Sequence, residues 1–174
     1  LECVVEAIID VCRQLPDDVE PAGIAVASQS GSIVGLDKSG SPIGPLITWM
    51  DSRSTPIVEG WLSTSTGNLI RALSGWNPGA GLGLSTLAWM SSSPPRTSPG
   101  AVTWVGADTL VTSFLAGRTT TNPSNAAAMQ LMDVPRGEWS PELCRLADVS
   151  RGQLPALNDS GEVIGRITTR AAST

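Results

Sequence analysis

The sequence predicts an α/β domain in which a sheet of short strands is covered by helices. Two observations carry this expectation. Short aliphatic runs, Ile24 to Ala27, Ser32 to Leu36 and Pro45 to Trp49, are each bounded by turn residues. Stretches with helical periodicity and clear stop signals alternate with them, the pattern of helices packed on a sheet.

The chain opens on a helical pattern, with Val4, Ile8, Val11, Cys12 and Leu15 on one face and Pro16-Asp17-Asp18 as its stop. Cys3 and Cys12 fall on opposite sides of this helix, and an odd total of three cysteines implies no disulfide framework. Ile24 to Ala27 reads as a strand ending in the polar turn Ser28-Gln29-Ser30-Gly31. Asp37-Lys38-Ser39-Gly40 then turns the second run back toward the third, so Ile24–Ala27, Ile33–Leu36 and Leu46–Trp49 are expected to share one sheet. Gly75-Trp76-Asn77-Pro78, with Gly79, Gly81 and Gly83, reads as a loop, and Leu84, Leu87, Ala88 and Trp89 as a short helix. The Pro/Ser-rich run Ser91 to Pro99 is expected to be a surface connection. Val102 to Val105 is a β-branched strand, and Ala107 to Ala116 a helix closed by Gly117. Ser140-Pro141-Glu142 supplies an N-cap, a first-turn proline and an acid at the positive helix end, predicting a helix over Pro141 to Ala147. Gly161 to Thr169 reads as a final strand or hairpin.

At 174 residues the chain has the size of one domain, able to bury about 70% of its unfolded surface. Its net charge of -5, without a Lys/Arg cluster, argues against nucleic acid as a partner. No apolar run is long enough to cross a bilayer and no secretory signal is visible, so a soluble, cytoplasmic protein is expected. With no His and no Tyr, imidazole bases, Ser-His-Asp triads and His metal sites are excluded, leaving carboxylates, Lys or water for acid-base work. No metal site is expected in these residues.

Several residues carry two readings. Gln29 and Ser30, at a strand end, can bridge adjacent sugar hydroxyls or merely satisfy their own turn. Asp51 and Arg53 can grip a hydroxyl and a charged sugar group or form an internal ion pair that orients a loop. Trp76 can be a stacking wall for a sugar or part of an aromatic core, whereas core is expected for Trp49, Trp89 and Trp104. Gly79, Gly81 and Gly83 imitate a phosphate loop but lack the preceding strand that such a loop needs. Asn122 and Ser124 read first as helix caps.

In combination these motifs resemble the FGGY carbohydrate kinases. The carriers are the Ser28-Gln29 turn, the aliphatic strand ending in Asp37, and Trp49-x-Asp51-x-Arg53. They continue with Leu87-Ala88-Trp89, Asp108 to Gly117, Thr121 to Asp133, Trp139 and Leu154-Pro155, in the family's order. The resemblance implies a ribonuclease H-like domain of the actin and hexokinase type, incomplete at both ends. Residues 1–174 would form part of the N-terminal sugar-binding domain. It implies ATP-dependent phosphorylation of a sugar, sugar acid or polyol hydroxyl, with Gln29, Ser30, Gly31, Asp51 and Arg53 on the substrate. The catalytic base would lie downstream of Thr174, and ATP and Mg²⁺ would depend on the C-terminal domain. These residues alone are thus expected to bind neither and to be inactive. The resemblance also allows a homodimer. Departures from the family pattern are Ser30-Gly31, which stands where relatives place larger side chains and offers a hydroxyl and open space to the substrate, and Thr86 and Asn122, which replace a Lys and an Asp. The rival reading is a non-catalytic sugar-binding or regulatory module on the same fold.

Overall fold

A computed structural model describes residues 2–16, 18–93 and 100–173, the side chains of residues 2 and 3 excepted. The expected surface connection therefore lies largely outside the described residues, as does the expected placing of Cys3 opposite Cys12.

The centre is a three-stranded antiparallel sheet in the order β2-β1-β3, with β1 at Ile33–Leu36, β2 at Pro42–Ile47 and β3 at Thr103–Val105. Asp37 builds the β1–β2 turn: its carboxylate accepts from the backbone N–H groups of Ser39 (2.8 Å) and Ser41 (3.0 Å). Strand β1 is buried along its whole length because side chains alternate between two apolar layers. Ile33 joins the larger core with Ile70, Leu84, Leu87, Trp104, Leu131, Trp139 and Leu143, while Val34 and Leu36 join Val105 and Leu110.

Helices fill both layers. α1 spans Glu2–Cys12, α2 Thr55–Leu62, α3 Ser65–Ser74, α4 Gly83–Ser92 and α5 Ala107–Ala116. Gly117 ends α5 in the left-handed conformation at φ 65°, as its sequence position predicts. Beyond it β4 (Thr120–Thr121) pairs in parallel with β7 (Ala156–Leu157), and β5 (Met132–Asp133) pairs antiparallel with β6 (Glu138–Trp139). α6 (Pro123–Ala128) is capped by Asn122, whose side chain accepts from the Asn125 N–H, and α7 (Pro141–Leu146) by Ser140, which accepts from the Leu143 N–H. α8 covers Thr169–Ala172. Among the described residues no helix is long and apolar enough to cross a membrane.

Three expectations are corrected. Ile24–Ala27 pairs with none of the three strands, and Ile24 stays 52% exposed, so its aliphatic content alone does not make it a strand. Gly161–Thr169 is no strand either: Thr168 closes this stretch by accepting the Ala171 N–H at 3.2 Å and starting α8. The inner face of α1 is Val5, Ile8 and Ile9, whereas Val4 and Val11 are exposed; aliphatic residues sit all around this helix, so periodicity alone misplaced the face by one position.

Candidate functional site

Three loops and one helix start converge beside the upper end of β1. The first loop is the turn Ser28–Gly31. Gln29 is exposed, and its carboxamide has no hydrogen-bond partner among the described residues. The turn thus leaves this amide idle, unlike a side chain engaged in holding its own loop. Ser30 donates its hydroxyl hydrogen to Asn125 Oδ1 at 2.9 Å, a contact that joins the turn to the start of α6. Asn125 was not anticipated. In the sequence it is one polar residue inside a short Ala-rich helix, and only the fold brings it to Ser30.

The second loop follows β2. The Trp49 backbone N–H donates to the buried Ser32 hydroxyl at 3.3 Å, which fixes the loop to the turn. Asp51 and Arg53 form a close ion pair. Arg53 Nε lies 3.0 and 2.9 Å from the two Asp51 oxygens and Nη2 lies 2.7 Å from Oδ2, while the Arg53 backbone N–H donates to Oδ1 at 2.9 Å. The guanidinium also lies over the Trp89 ring, 4.2 Å from its centroid. Hydrogen bonding from Arg53 holds the Asp51 carboxyl below the usual carboxylate range, and the same bonding raises Arg53. A carboxylate so stabilised is a weak proton acceptor, so this pair positions a loop far better than it would abstract a proton. Trp49 is 52% exposed and Met50 69%, which corrects the expected core role of Trp49: the strand ends at Ile47, before the ring can turn inward. Trp104 is buried and Trp89 packs half-buried on the core, as expected.

The third loop is the glycine run. Gly81 lies against the Trp49–Asp51 backbone, so near that an added Cβ would stand 2.1 Å from the Trp49 carbonyl oxygen. Its N–H donates to Ser54 Oγ (3.2 Å), Ser54 donates to Ser85 Oγ (3.1 Å), and Ser85 donates to the Gly79 carbonyl (2.7 Å). Gln130, fully buried at φ 58°, closes the loop from behind by donating to the Asn77 carbonyl at 2.8 Å and accepting the Gly79 N–H at 3.4 Å. The Leu84 N–H is taken by the Met129 carbonyl. The N–H groups of Gly79, Gly81 and Leu84 thus point at partners inside the protein and not at a common external anion. Gly31 also differs from expectation. It is buried at φ +82°, and a Cβ there would meet Leu82 Cδ2 at 2.8 Å, so Leu82 fills the space expected to be open. Trp76 is 52% exposed in the loop after α3, beside Asn77.

Behind the α6 start lies a buried polar knot. Asp108 accepts from the Thr121 hydroxyl at 2.6 Å, Thr109 donates to the Thr120 carbonyl at 2.9 Å, and Thr120 donates to Asn158. It anchors Asn122 and hence Asn125.

The fold is a two-layer α/β domain whose strand-end loops bring the Gln29 amide, unpartnered among the described residues, beside the exposed Trp49 and the Asp51–Arg53 pair. The whole chain, residues 1–174, matches the FGGY family of carbohydrate kinases, N-terminal domain, and the chain belongs to that family. It is 25% identical over 176 residues to the L-fuculokinase of Escherichia coli (strain K12), covering 99% of this chain and 37% of the relative. It is 30% identical over 154 residues to the glycerol kinase of Thermococcus gammatolerans, covering 84% of this chain and 31% of the relative. Among solved structures, gluconate kinase from Lactobacillus acidophilus superposes with a TM-score of 0.89 at 23% identity, over 99% of this chain and 35% of that one. The chain thus spans about a third of the length of the relatives it matches, and the structural likeness establishes the actin- and hexokinase-type fold.

Proposed function

We propose that this chain is the sugar-binding part of an ATP-dependent carbohydrate kinase, which transfers the γ-phosphoryl group of ATP to a hydroxyl of a sugar or polyol. The observation that carries the reading is the convergence at the start of β1: an exposed Gln29 amide without a partner among the described residues, next to Ser30 and the half-exposed Trp49, in a chain that matches this kinase family from end to end. An amide with two donors and an acceptor suits vicinal hydroxyls, and an indole face suits sugar C–H groups. Asp51 and Arg53 complete the proposed substrate side, and Gly31, tucked under Leu82, shapes its floor. The relatives are named as kinases of L-fuculose, glycerol and gluconate, so the family brings both neutral and acidic substrates into range.

On this reading the 174 residues are one partial domain. ATP and Mg²⁺ are held elsewhere in the protein, consistent with the engaged amides of the glycine run. Phosphoryl transfer needs the nucleophile held in line with a clamped triphosphate, so these residues alone orient a hydroxyl and do not transfer phosphate. A cytoplasmic setting fits the free thiols of Cys12 and Cys144; a homodimer rests on the family resemblance.

The test is Gln29→Ala in the full-length protein. Losing one neutral hydrogen bond should lower kcat/KM for the sugar by a few-fold to about tenfold, with ATP affinity unchanged. A variant that melts lower but keeps its sugar kinetics would reduce Gln29 to a turn residue.

A further inference from the structure

We infer that the site selects an uncharged sugar or polyol and discriminates against a sugar acid. The inference rests on the reading of Gln29, Ser30 and Asp51 as the sugar side of the site. Binding a carboxylate requires an uncommitted cation or donors aimed at it. Arg53 is the cation these loops carry, and it is engaged twice. Three of its contacts to the Asp51 oxygens fall between 2.7 and 3.0 Å, and its flat face covers Trp89. A second carboxylate brought to it would meet the Asp51 charge at close range.

Ser30 points the same way. Its one hydroxyl hydrogen goes to Asn125 Oδ1 at 2.9 Å, so toward a ligand its oxygen can only accept. A ligand O–H satisfies that oxygen, whereas a carboxylate would place lone pairs against lone pairs. The amide donors of Gln29 serve a hydroxyl as well as a carboxylate and do not discriminate. The exposed flanks, Trp49 and Met50, favour C–H surface and would strip water from a charged group. The chain's net charge of -5 adds a weak long-range term of the same sign.

The experiment compares, in the full-length protein at saturating ATP, neutral sugars and polyols with the aldonic acids of matching carbon number and stereochemistry. The best neutral substrate should exceed the best acid by about tenfold or more in kcat/KM. Asp51→Asn, which keeps the side chain's shape and releases the Arg53 charge, should narrow that ratio. Equal or better use of an acid by the unaltered protein overturns the inference, and that comparison needs no variant to fold. Gln29→Ala separates the two levels. If it depresses turnover of the neutral substrate while an acid is used equally well, only the selectivity inference fails. If it leaves both substrates untouched, the site itself has been misplaced and both readings fail.

Discussion

Replacing Gly81 by Ala tests whether the glycine run holds the proposed substrate loop. Gly81 has φ +77°, and a Cβ there would stand 2.1 Å from the Trp49 carbonyl oxygen, 2.7 Å from its carbonyl carbon and 3.0 Å from the Asp51 carbonyl oxygen. Those neighbours are backbone, so no rotamer change relieves the collision. Gly40 is the matched control: it has φ +79° and nothing within 4 Å of the same added atom. The left-handed backbone alone costs an alanine roughly 1–2 kcal/mol, and Gly40→Ala should show only that. At Gly81 the loop must also withdraw, breaking the 3.2 Å bond from its N–H to the buried Ser54 hydroxyl. Leaving such a group unsatisfied adds about 1–3 kcal/mol, for a total of about 2–5 kcal/mol. Urea unfolding of the two full-length variants measures the gap. Equal losses at the two positions would refute the argument that a rigid close approach, rather than the dihedral, makes Gly81 necessary.

Two further outcomes follow from ionisation. Arg53 lowers the Asp51 pKa below its ordinary 3.8, so the pair's contribution to stability is fully present above about pH 3.8 and is lost as pH falls through the depressed folded value. Melting curves of the parent and Asp51→Asn proteins should therefore differ at neutral pH and converge in acid; a constant gap would show that the pair's charge is immaterial. Burial raises the Cys144 thiol, whereas Cys12 is exposed. A thiol reagent at pH 8 should modify Cys12 in the native protein and Cys144 only on unfolding, and early labelling of Cys144 by peptide mapping would contradict its buried position.

What the sequence by itself determined is local. Ser140 and Asn122 cap the helices that follow them, Gly117 closes α5, and Asp37 folds the β1–β2 turn, because each bonds within a few residues of itself. The ordered motifs also placed the chain in its family, since their residue types and spacing survive without knowledge of contacts. Tertiary structure alone decided the rest. An aliphatic run is a strand only if it meets a ladder partner: Ile24–Ala27 has none, whereas β1 gains β3, which arrives from residue 103. The inward or outward turn of Trp49 depended on β2 ending two residues earlier. The space over Gly31 belonged to Leu82, and the hydroxyl of Ser30 to Asn125, a partner 95 residues away. Such pairings depend on how separate layers stack, and no local pattern in a single chain encodes them.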